Sequence, residues 1–227
     1  MEFSLFEASP IFIGIIGYLI YFCFLKNKQV QKGFRNYFSD AKSSFYWIQI
    51  TRVIAFVCMA ILPLLYIYLL DVYFWEIDFI WTYADTKYIL ILATILIPLG
   101  TLNAKGKEHL TIYPQVRMRN WNPIEYTFNI LSWGLYLLGY EFLFRGILFL
   151  GLIPFFGIYP AIIVNTVLYA LAHLYKGKKE TLGSILLGIV LCVITAYTQT
   201  IWTAFAVHWI MATNNFVCSQ YYSSKLN

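Results

Sequence analysis

Residues 126–152 read YTFNILSWGLYLLGYEFLFRGILFLGL, and only Glu141 and Arg145 among them are charged. An α-helix crosses a bilayer core of about 30 Å with roughly 20 predominantly apolar residues, so this stretch predicts a transmembrane helix. The same rule, applied outward along the chain, predicts seven spans: Ile11–Leu25, Arg52–Leu70, Tyr88–Leu102, Tyr126–Leu152, Ala161–Tyr175, Leu182–Thr198 and Ile201–Cys218.

The composition of the whole chain agrees with this pattern. Of the 227 residues, 60% are apolar and 12% are charged, whereas soluble domains carry about 25% charged residues. This excludes a soluble enzyme, and the 19 Phe and 19 Tyr exclude a disordered chain. The four cysteines lie in apolar runs without a CxxC pair, which predicts free thiols. The predicted fold is an all-α polytopic membrane helix bundle of about seven transmembrane helices.

The basic residues indicate how the bundle lies in the membrane. Of the 16 Lys and Arg residues, all but Arg52, Lys87 and Arg145 follow spans one, three, five and seven. Loops rich in Lys and Arg are cytoplasmic, so the N-terminus is predicted outside and the C-terminus inside. Residues 1–10 lack the basic region of a cleavable signal peptide, so Ile11–Leu25 is expected to be a retained span. The predicted location is a bacterial-type cytoplasmic membrane.

Two segments between spans carry aromatic residues that suit the membrane surface. Val30–Ser44 mixes basic and aromatic residues, which is typical of a segment in the anionic headgroup layer. Asp71–Asp85 is acidic and rich in Trp and Tyr, as in an external interfacial belt. Membrane lipids are therefore expected partners. No nucleic-acid-binding motif accompanies the bases, so nucleic acid is not an expected partner.

Four ionisable residues lie in mid-span: Glu141, Arg145, His173 and His208. Their positions in the predicted helices bring them within about a turn and a half of one level. Glu141 and Arg145 are spaced i,i+4 and can pair. Alone they would fit a structural ion pair, and a lone histidine would fit an interhelical hydrogen bond. The four together favour one shared functional site, because charged residues in a membrane are costly.

These residues lie in motifs that resemble those of the CPBP family, which contains CAAX prenyl proteases and bacteriocin-processing or immunity proteins. Gly139–Gly146 (GYEFLFRG) is similar to the family signature EExxxRG, and Tyr169–His173 (YALAH) is similar to FxxxH. His208 lies where the third motif, HxxxN, is expected. The resemblance covers about Trp121–Val217, so the predicted organisation is 1–120 for N-terminal spans with the basic loop and 121–227 for the motif-bearing core, in one bundle.

The resemblance implies intramembrane endoproteolysis of a membrane-associated peptide or protein. In such a site a glutamate activates water with the help of the second-motif histidine, and the third-motif histidine and asparagine stabilise the oxyanion. A carboxylate away from water gains basicity, and fixed donors stabilise developing charge. Acid–base chemistry of this kind requires no cofactor. A zinc ion on Glu141, His173 and His208 is the alternative.

The chain departs from the family pattern at two positions. The first Glu of the EE pair is Tyr140, and a phenol with an ordinary pKa near 10 is a poor base at neutral pH. Glu141 matches the second Glu, and pairing with Arg145 stabilises its ionised form and makes it a weaker base. The asparagine of HxxxN is replaced by Ala212. Asn215 recovers the same helix face about a turn further along.

Two hypotheses follow from these departures. The first is a divergent intramembrane peptidase using Glu141, His173 and His208, supported by Arg145, Tyr140, Tyr169 and Asn215. The second is a catalytically silent relative that uses the same cavity to bind a membrane peptide, a partner or a lipid. A coupled transporter is disfavoured because no inverted repeat is visible.

Overall fold

The computed structural model describes residues 6–35, 40–72, 77–118 and 120–225. The predicted surface segments Val30–Ser44 and Asp71–Asp85 lie partly outside the described residues, because 36–39 and 73–76 are not described. The acidic residue Glu2 and the basic residue Arg119 also lie outside them. The α-helices are α1 Ser9–Lys26, α2 Lys28–Arg35, α3 Asp40–Phe56, α4 Leu62–Leu69, α5 Tyr83–Asn103, α6 Lys107–Ile112, α7 Pro123–Glu141, α8 Gly151–Phe156, α9 Ile158–His173, α10 Lys178–Thr198 and α11 Trp202–Ser224.

Two long helices change their winding in the middle. A π-helical segment, Val57–Ile61, joins α3 to α4, and another, Phe142–Leu150, joins α7 to α8. Each π turn shifts the backbone hydrogen-bond register, and π segments inside α-helices frequently occur at functional sites. The second one begins directly after Glu141 and contains Arg145, so it sets where those two side chains point.

Helices of membrane-spanning length confirm the predicted fold class, an all-α polytopic membrane bundle. In the described part of the chain, six are long and apolar enough to cross a bilayer: Ser9–Lys26, Lys42–Leu69, Tyr83–Asn103, Pro123–Phe156, Ile158–Lys176 and Lys178–Thr198. Each contains most of one predicted span. The seventh predicted span corresponds to α11, which has 23 residues but is less apolar and is not one of the six. The count of seven and the orientation therefore stay predictions.

Capping residues fix where two of these helices begin. The Asn122 side chain accepts the backbone N–H of Glu125, and the Glu125 carboxylate accepts that of Asn122. Thr82 and Asp85 form the same reciprocal pair at the start of α5. Each pair satisfies backbone N–H groups that the first helical turn leaves without partners. The Asn122 pair starts α7, the helix that ends in the motif residues.

The bundle core is built around the second π segment. Phe142–Leu150 is buried throughout, and it packs with α1, α9, α10 and the first π segment. Helix α7 also lies against α3, and α5 lies against α11. At Gly139 a Cβ atom would come within 2.9 Å of the Cα of Phe56, so a glycine is needed for this close approach of α7 to the α3 end. Elements from both predicted regions thus surround the motif residues.

Large apolar side chains cover the outside of the bundle. They include Leu90, Ile163, Leu182 and Leu186, each more than 60% exposed. Contiguous apolar surface of this kind is unfavourable in water and is explained by contact with lipid, as in an integral membrane protein. The four cysteines are free, as predicted, and Cys58 and Cys192 are buried.

The orientation can be tested at the turn between α9 and α10. In a chain with Cys23 and Cys218 replaced by alanine, we expect Lys178→Cys to react with a membrane-impermeant maleimide only from the cytoplasmic side, because that loop is basic. Tyr83→Cys, at the highly exposed start of α5, is the matched position and should react only from the outside. Labelling of Lys178→Cys from outside would contradict the predicted orientation.

Candidate functional site

A cavity of about 640 Å³ lies among α1, α5, α7, α9, α10 and α11. Most of its wall is aliphatic and aromatic, with leucines from α5 and α10 facing each other. Tyr140, Tyr169, His173 and His208 also line the cavity. Lys176 and Glu180, near the predicted cytoplasmic ends of α9 and α10, also line it. The cavity therefore suits a ligand with apolar surface and a polar group that reaches the two histidines.

Glu141 lies behind this wall and has both carboxylate oxygens engaged. Oε1 lies 2.6 Å from Nδ1 of His208, and Oε2 lies 3.1 Å from Nε of Arg145. The second contact is an ion pair by distance, but the N–H of Arg145 is not aimed at the oxygen and makes no hydrogen bond there. Both side chains are completely buried. The pairing predicted from the i,i+4 spacing is therefore confirmed, and His208 joins it from α11.

Asn165 holds the other end of the Arg145 side chain. Its Oδ1 accepts a hydrogen bond from Nη1 of Arg145 at 2.5 Å, and its Nδ2 donates to the carbonyl oxygen of Phe144 at 2.5 Å. The Cys192 thiol donates to the same Oδ1 at 3.3 Å. Asn165 thus connects α9 to the π segment and fixes the guanidinium against Glu141.

Asn165 is not among the residues predicted from the sequence, because that prediction rested on ionisable and motif residues. The spacing of polar residues on α9 could nevertheless have indicated it. Asn165, Tyr169 and His173 follow one another at intervals of four residues, so they share one face of α9. An amide on the same face of a transmembrane helix as a motif histidine is a candidate member of the same site, since polar side chains in membranes bond across helices.

Hydrogen bonds fix the proton position on both histidines. The carbonyl oxygen of Tyr169 can only accept, so Nδ1 of His173, 2.9 Å away, must donate. The Glu141 carboxylate, ionised beside Arg145, can likewise only accept from Nδ1 of His208. In the neutral form each ring then keeps a lone pair on Nε2. The rings are nearly parallel with centroids 6.3 Å apart.

Two buried phenols complete the group. The hydroxyls of Tyr140 and Tyr169 have no hydrogen-bond partner among the described residues. The Tyr140 ring lies edge-on to both histidine rings, with centroids 5.7 Å from His208 and 6.3 Å from His173. A buried hydroxyl without a partner is costly. A ligand carbonyl oxygen in the cavity would relieve that cost.

The third motif is only partly represented here. Ala212 lines the cavity but has no polar group to offer. Asn215 also lines the cavity, yet within the described chain no hydrogen bond joins its side chain to Glu141, His173 or His208. Its neighbour Asn214 donates to the carbonyl of Ile97 on α5. The structure thus brings together every predicted site residue except Asn215, which lines a different part of the cavity wall.

The zinc alternative does not fit this geometry. No group of three His, Cys, Asp or Glu side chains in the described part of the chain is arranged to hold a metal ion. Glu141 and His208 bond to each other, and the second Glu141 oxygen faces Arg145. The carboxylate therefore has no oxygen free to serve as a third ligand beside the two histidines.

Comparison with known proteins identifies the motif-bearing region. Residues 122–214 match the family model described as type II CAAX prenyl endopeptidase Rce1-like. The resemblance to the CAAX-protease family is confirmed. The match includes all of α7, both histidines of the cavity, Asn165 and Arg145. No curated protein and no solved structure matched the chain. The CAAX-protease-like region is therefore the part of the chain in which the chemistry is to be sought.

The role of Asn165 can be measured as stability. Asn165→Ala would remove two buried hydrogen bonds, one to the Phe144 carbonyl and one from Nη1 of Arg145, and each such loss costs about 1–3 kcal/mol. We expect the unfolding midpoint of the detergent-solubilised variant to fall accordingly. Thr166→Ala, on the next residue of the same helix, removes a hydroxyl that has no partner among the described residues and is the matched control. Equal stability of wild type and Asn165→Ala would contradict the assignment.

Proposed function

We propose that this protein is an intramembrane endopeptidase in which Glu141 orients His208, and His208 acts as the general base. The observation that carries the proposal is the 2.6 Å bond from His208 Nδ1 to Glu141. It directs the lone pair of Nε2 away from Glu141, on a side chain that lines the cavity. A carboxylate that holds a histidine in the correct tautomer is a recurring arrangement in hydrolytic enzymes.

In this proposal Glu141 is not the base. Both of its oxygens are occupied, and its side chain is fully buried. It has no free edge from which to contact a water in the cavity. Glu141 is therefore a positioning residue, and the base that the family's first glutamate would supply at position 140 is replaced by His208 from another helix.

The reaction uses one water molecule. His208 Nε2 takes a proton from the water as its oxygen bonds to the carbonyl carbon of the scissile peptide. The hydroxyls of Tyr140 and Tyr169 donate to the oxyanion that forms, since neither has an acceptor among the described residues. When the C–N bond breaks, the proton on His208 passes to the leaving nitrogen. His173, with Nε2 unprotonated, accepts a hydrogen bond from the water and orients it.

The second candidate is a silent relative that binds without cleaving. The observation that favours it is the loss of two polar groups, at Tyr140 and Ala212. The same phenols and imidazoles would then hold a carbonyl and an N–H group of a membrane peptide or a lipid. Fold and family do not decide between the two, because function depends on the site.

A cleavage assay tests the proposal. The purified protein is reconstituted in liposomes with a panel of peptides, including a farnesylated one because the matched family is described as prenyl endopeptidases. Products are identified by mass spectrometry. We expect cleavage by wild type and a loss of about 10⁴ in rate for Glu141→Gln, as when a triad carboxylate becomes an amide and the histidine tautomer is reversed. Binding of a peptide without cleavage would support the silent relative.

Substitutions of Tyr140 distinguish the peptidase from the silent relative. Tyr140→Phe removes only the hydroxyl, and the loss of one oxyanion donor lowers kcat by about 10²–10³. Tyr140→Glu should also lower it, because it removes the donor and places a second carboxylate beside Glu141. If the wild type is silent, Tyr140→Glu, alone or with Ala212→Asn, should instead create activity by restoring the family's base. A gain of activity in Tyr140→Glu would overturn the His208 assignment.

A further inference from the structure

Arg52, on α3, is a buried cation outside the proposed catalytic site. Its residue is 4% exposed, and none of the ion pairs among the described residues includes it. Its guanidinium lies 4.1 Å from the ring centroid of Trp133. Charged groups within a membrane bundle normally pair with an opposite charge, because an isolated charge away from water is costly. Arg52 thus has a charge that no described side chain balances.

The hydrogen bonds of Arg52 are unevenly distributed over its three nitrogens. Nη1 donates to the Oδ1 and the carbonyl oxygen of Asn129 at 2.9 and 3.1 Å, and to Ser132 Oγ at 2.8 Å. Nη2 has only Gln115 Oε1 at 3.4 Å, and Nε has no acceptor in the described chain. A guanidinium carries five N–H donors, so the edge formed by Nε and Nη2 has donors to spare.

A second, small cavity touches this guanidinium. The centre of a water-sized sphere can occupy about 10 Å³ of it, so the cavity has room for one particle of that size. Its wall includes Arg52, Asn129 and the exposed Gln115, together with apolar side chains including Trp133 and Phe216. The Oδ1 of Asn129 already accepts from Arg52 and from Gln49, and Gln115 Oε1 accepts from Arg52. The amide NH₂ groups of Gln115 and Asn129 have no acceptor in the described residues.

We infer that this cavity binds a single monatomic monovalent anion, with the chemistry of chloride. Among the described side chains that line it, the polar groups without a partner are N–H donors, and Arg52 carries the only charge. The small volume suits a monatomic ion. The anion would neutralise Arg52 and connect α3, α7 and the Pro114–Val116 segment, whose residues all line the cavity. This inference does not depend on the proposed peptidase activity.

Thermal unfolding of the purified full chain in detergent tests the inference. At constant ionic strength, replacing gluconate by chloride or bromide should raise the midpoint by about 3–5 °C for each tenfold increase above the dissociation constant. Arg52→Gln, which keeps hydrogen-bonding capacity and removes the charge, should abolish this dependence. Arg117→Gln is the matched control, since Arg117 donates to backbone carbonyls at an exposed position, and it should respond as wild type does.

A crystal grown in bromide gives a direct second measurement that does not require a folded variant. An anomalous peak beside the Nε and Nη2 atoms of Arg52 is expected. A water molecule there without anomalous signal would overturn the inference. So would a midpoint in wild type that is the same in chloride and in gluconate, or a halide response that persists in Arg52→Gln.

Discussion

Replacing His208 by alanine is expected to lower the rate of peptide cleavage by about 10²–10⁴, the usual contribution of a general base. That range corresponds to about 3–5 kcal/mol of activation free energy at 1.36 kcal/mol per factor of ten. The effect should fall on kcat, because the apolar cavity wall that binds the peptide is unchanged. The measurement is the initial rate at saturating substrate in proteoliposomes.

His109→Ala is the matched control for this experiment. His109 is the one histidine of the chain besides His173 and His208. It is buried and bonds to Asn103 and Ser219 rather than to the catalytic residues. Its loss should leave kcat unchanged. Equal rates for wild type and His208→Ala would remove His208 from the mechanism, and equal losses in both variants would indicate a general effect on folding.

The second large expected effect is a loss of folding stability in Arg145→Ala. Arg145→Ala would leave the Glu141 carboxylate in a completely buried position without its cationic partner, and breaking a buried pair in this way costs about 3–5 kcal/mol. We expect a low yield of folded protein in the membrane and a lower unfolding midpoint in detergent. Adding Glu141→Gln to the same chain should recover much of both, because it removes the stranded charge.

An exposed ion pair provides the comparison. Lys179 and Glu108 lie 2.7 Å apart, with side chains 73% and 63% exposed, and solvent screens such pairs strongly. Lys179→Ala should therefore have little effect on yield or midpoint. A normal yield of Arg145→Ala would mean that the Glu141–Arg145 contact does not stabilise the folded chain.

The helices that carry the site could be predicted from sequence because each is a long apolar run. Lipid requires every backbone polar group to bond within its own helix, so length and hydropathy nearly determine these elements. The Glu141–Arg145 pair was predictable for a similar reason, since residues four apart on a helix are neighbours. The motifs also predicted that His173 and His208 would join the pair in one region of the bundle.

The parts that sequence did not predict depend on contacts between distant residues. Nothing in the order of residues places Asn165 on the Phe144 carbonyl, because that contact exists only once α9 packs against a π segment. The bond from His208 to Oε1 of Glu141 likewise depends on the rotation of α11. The sequence therefore predicted the motif residues, but not the hydrogen bonds that Asn165 and His208 make with their neighbours.

The most direct test of the His208–Glu141 peptidase is cleavage in water enriched in heavy oxygen. The wild-type protein and the farnesylated peptide are incubated in liposomes, and the products are weighed by mass spectrometry. We expect two fragments from the wild type, with one heavy oxygen in the new carboxyl group of the N-terminal fragment, and neither fragment from His208→Ala. Intact peptide after prolonged incubation with wild type, although the same peptide binds, would contradict it.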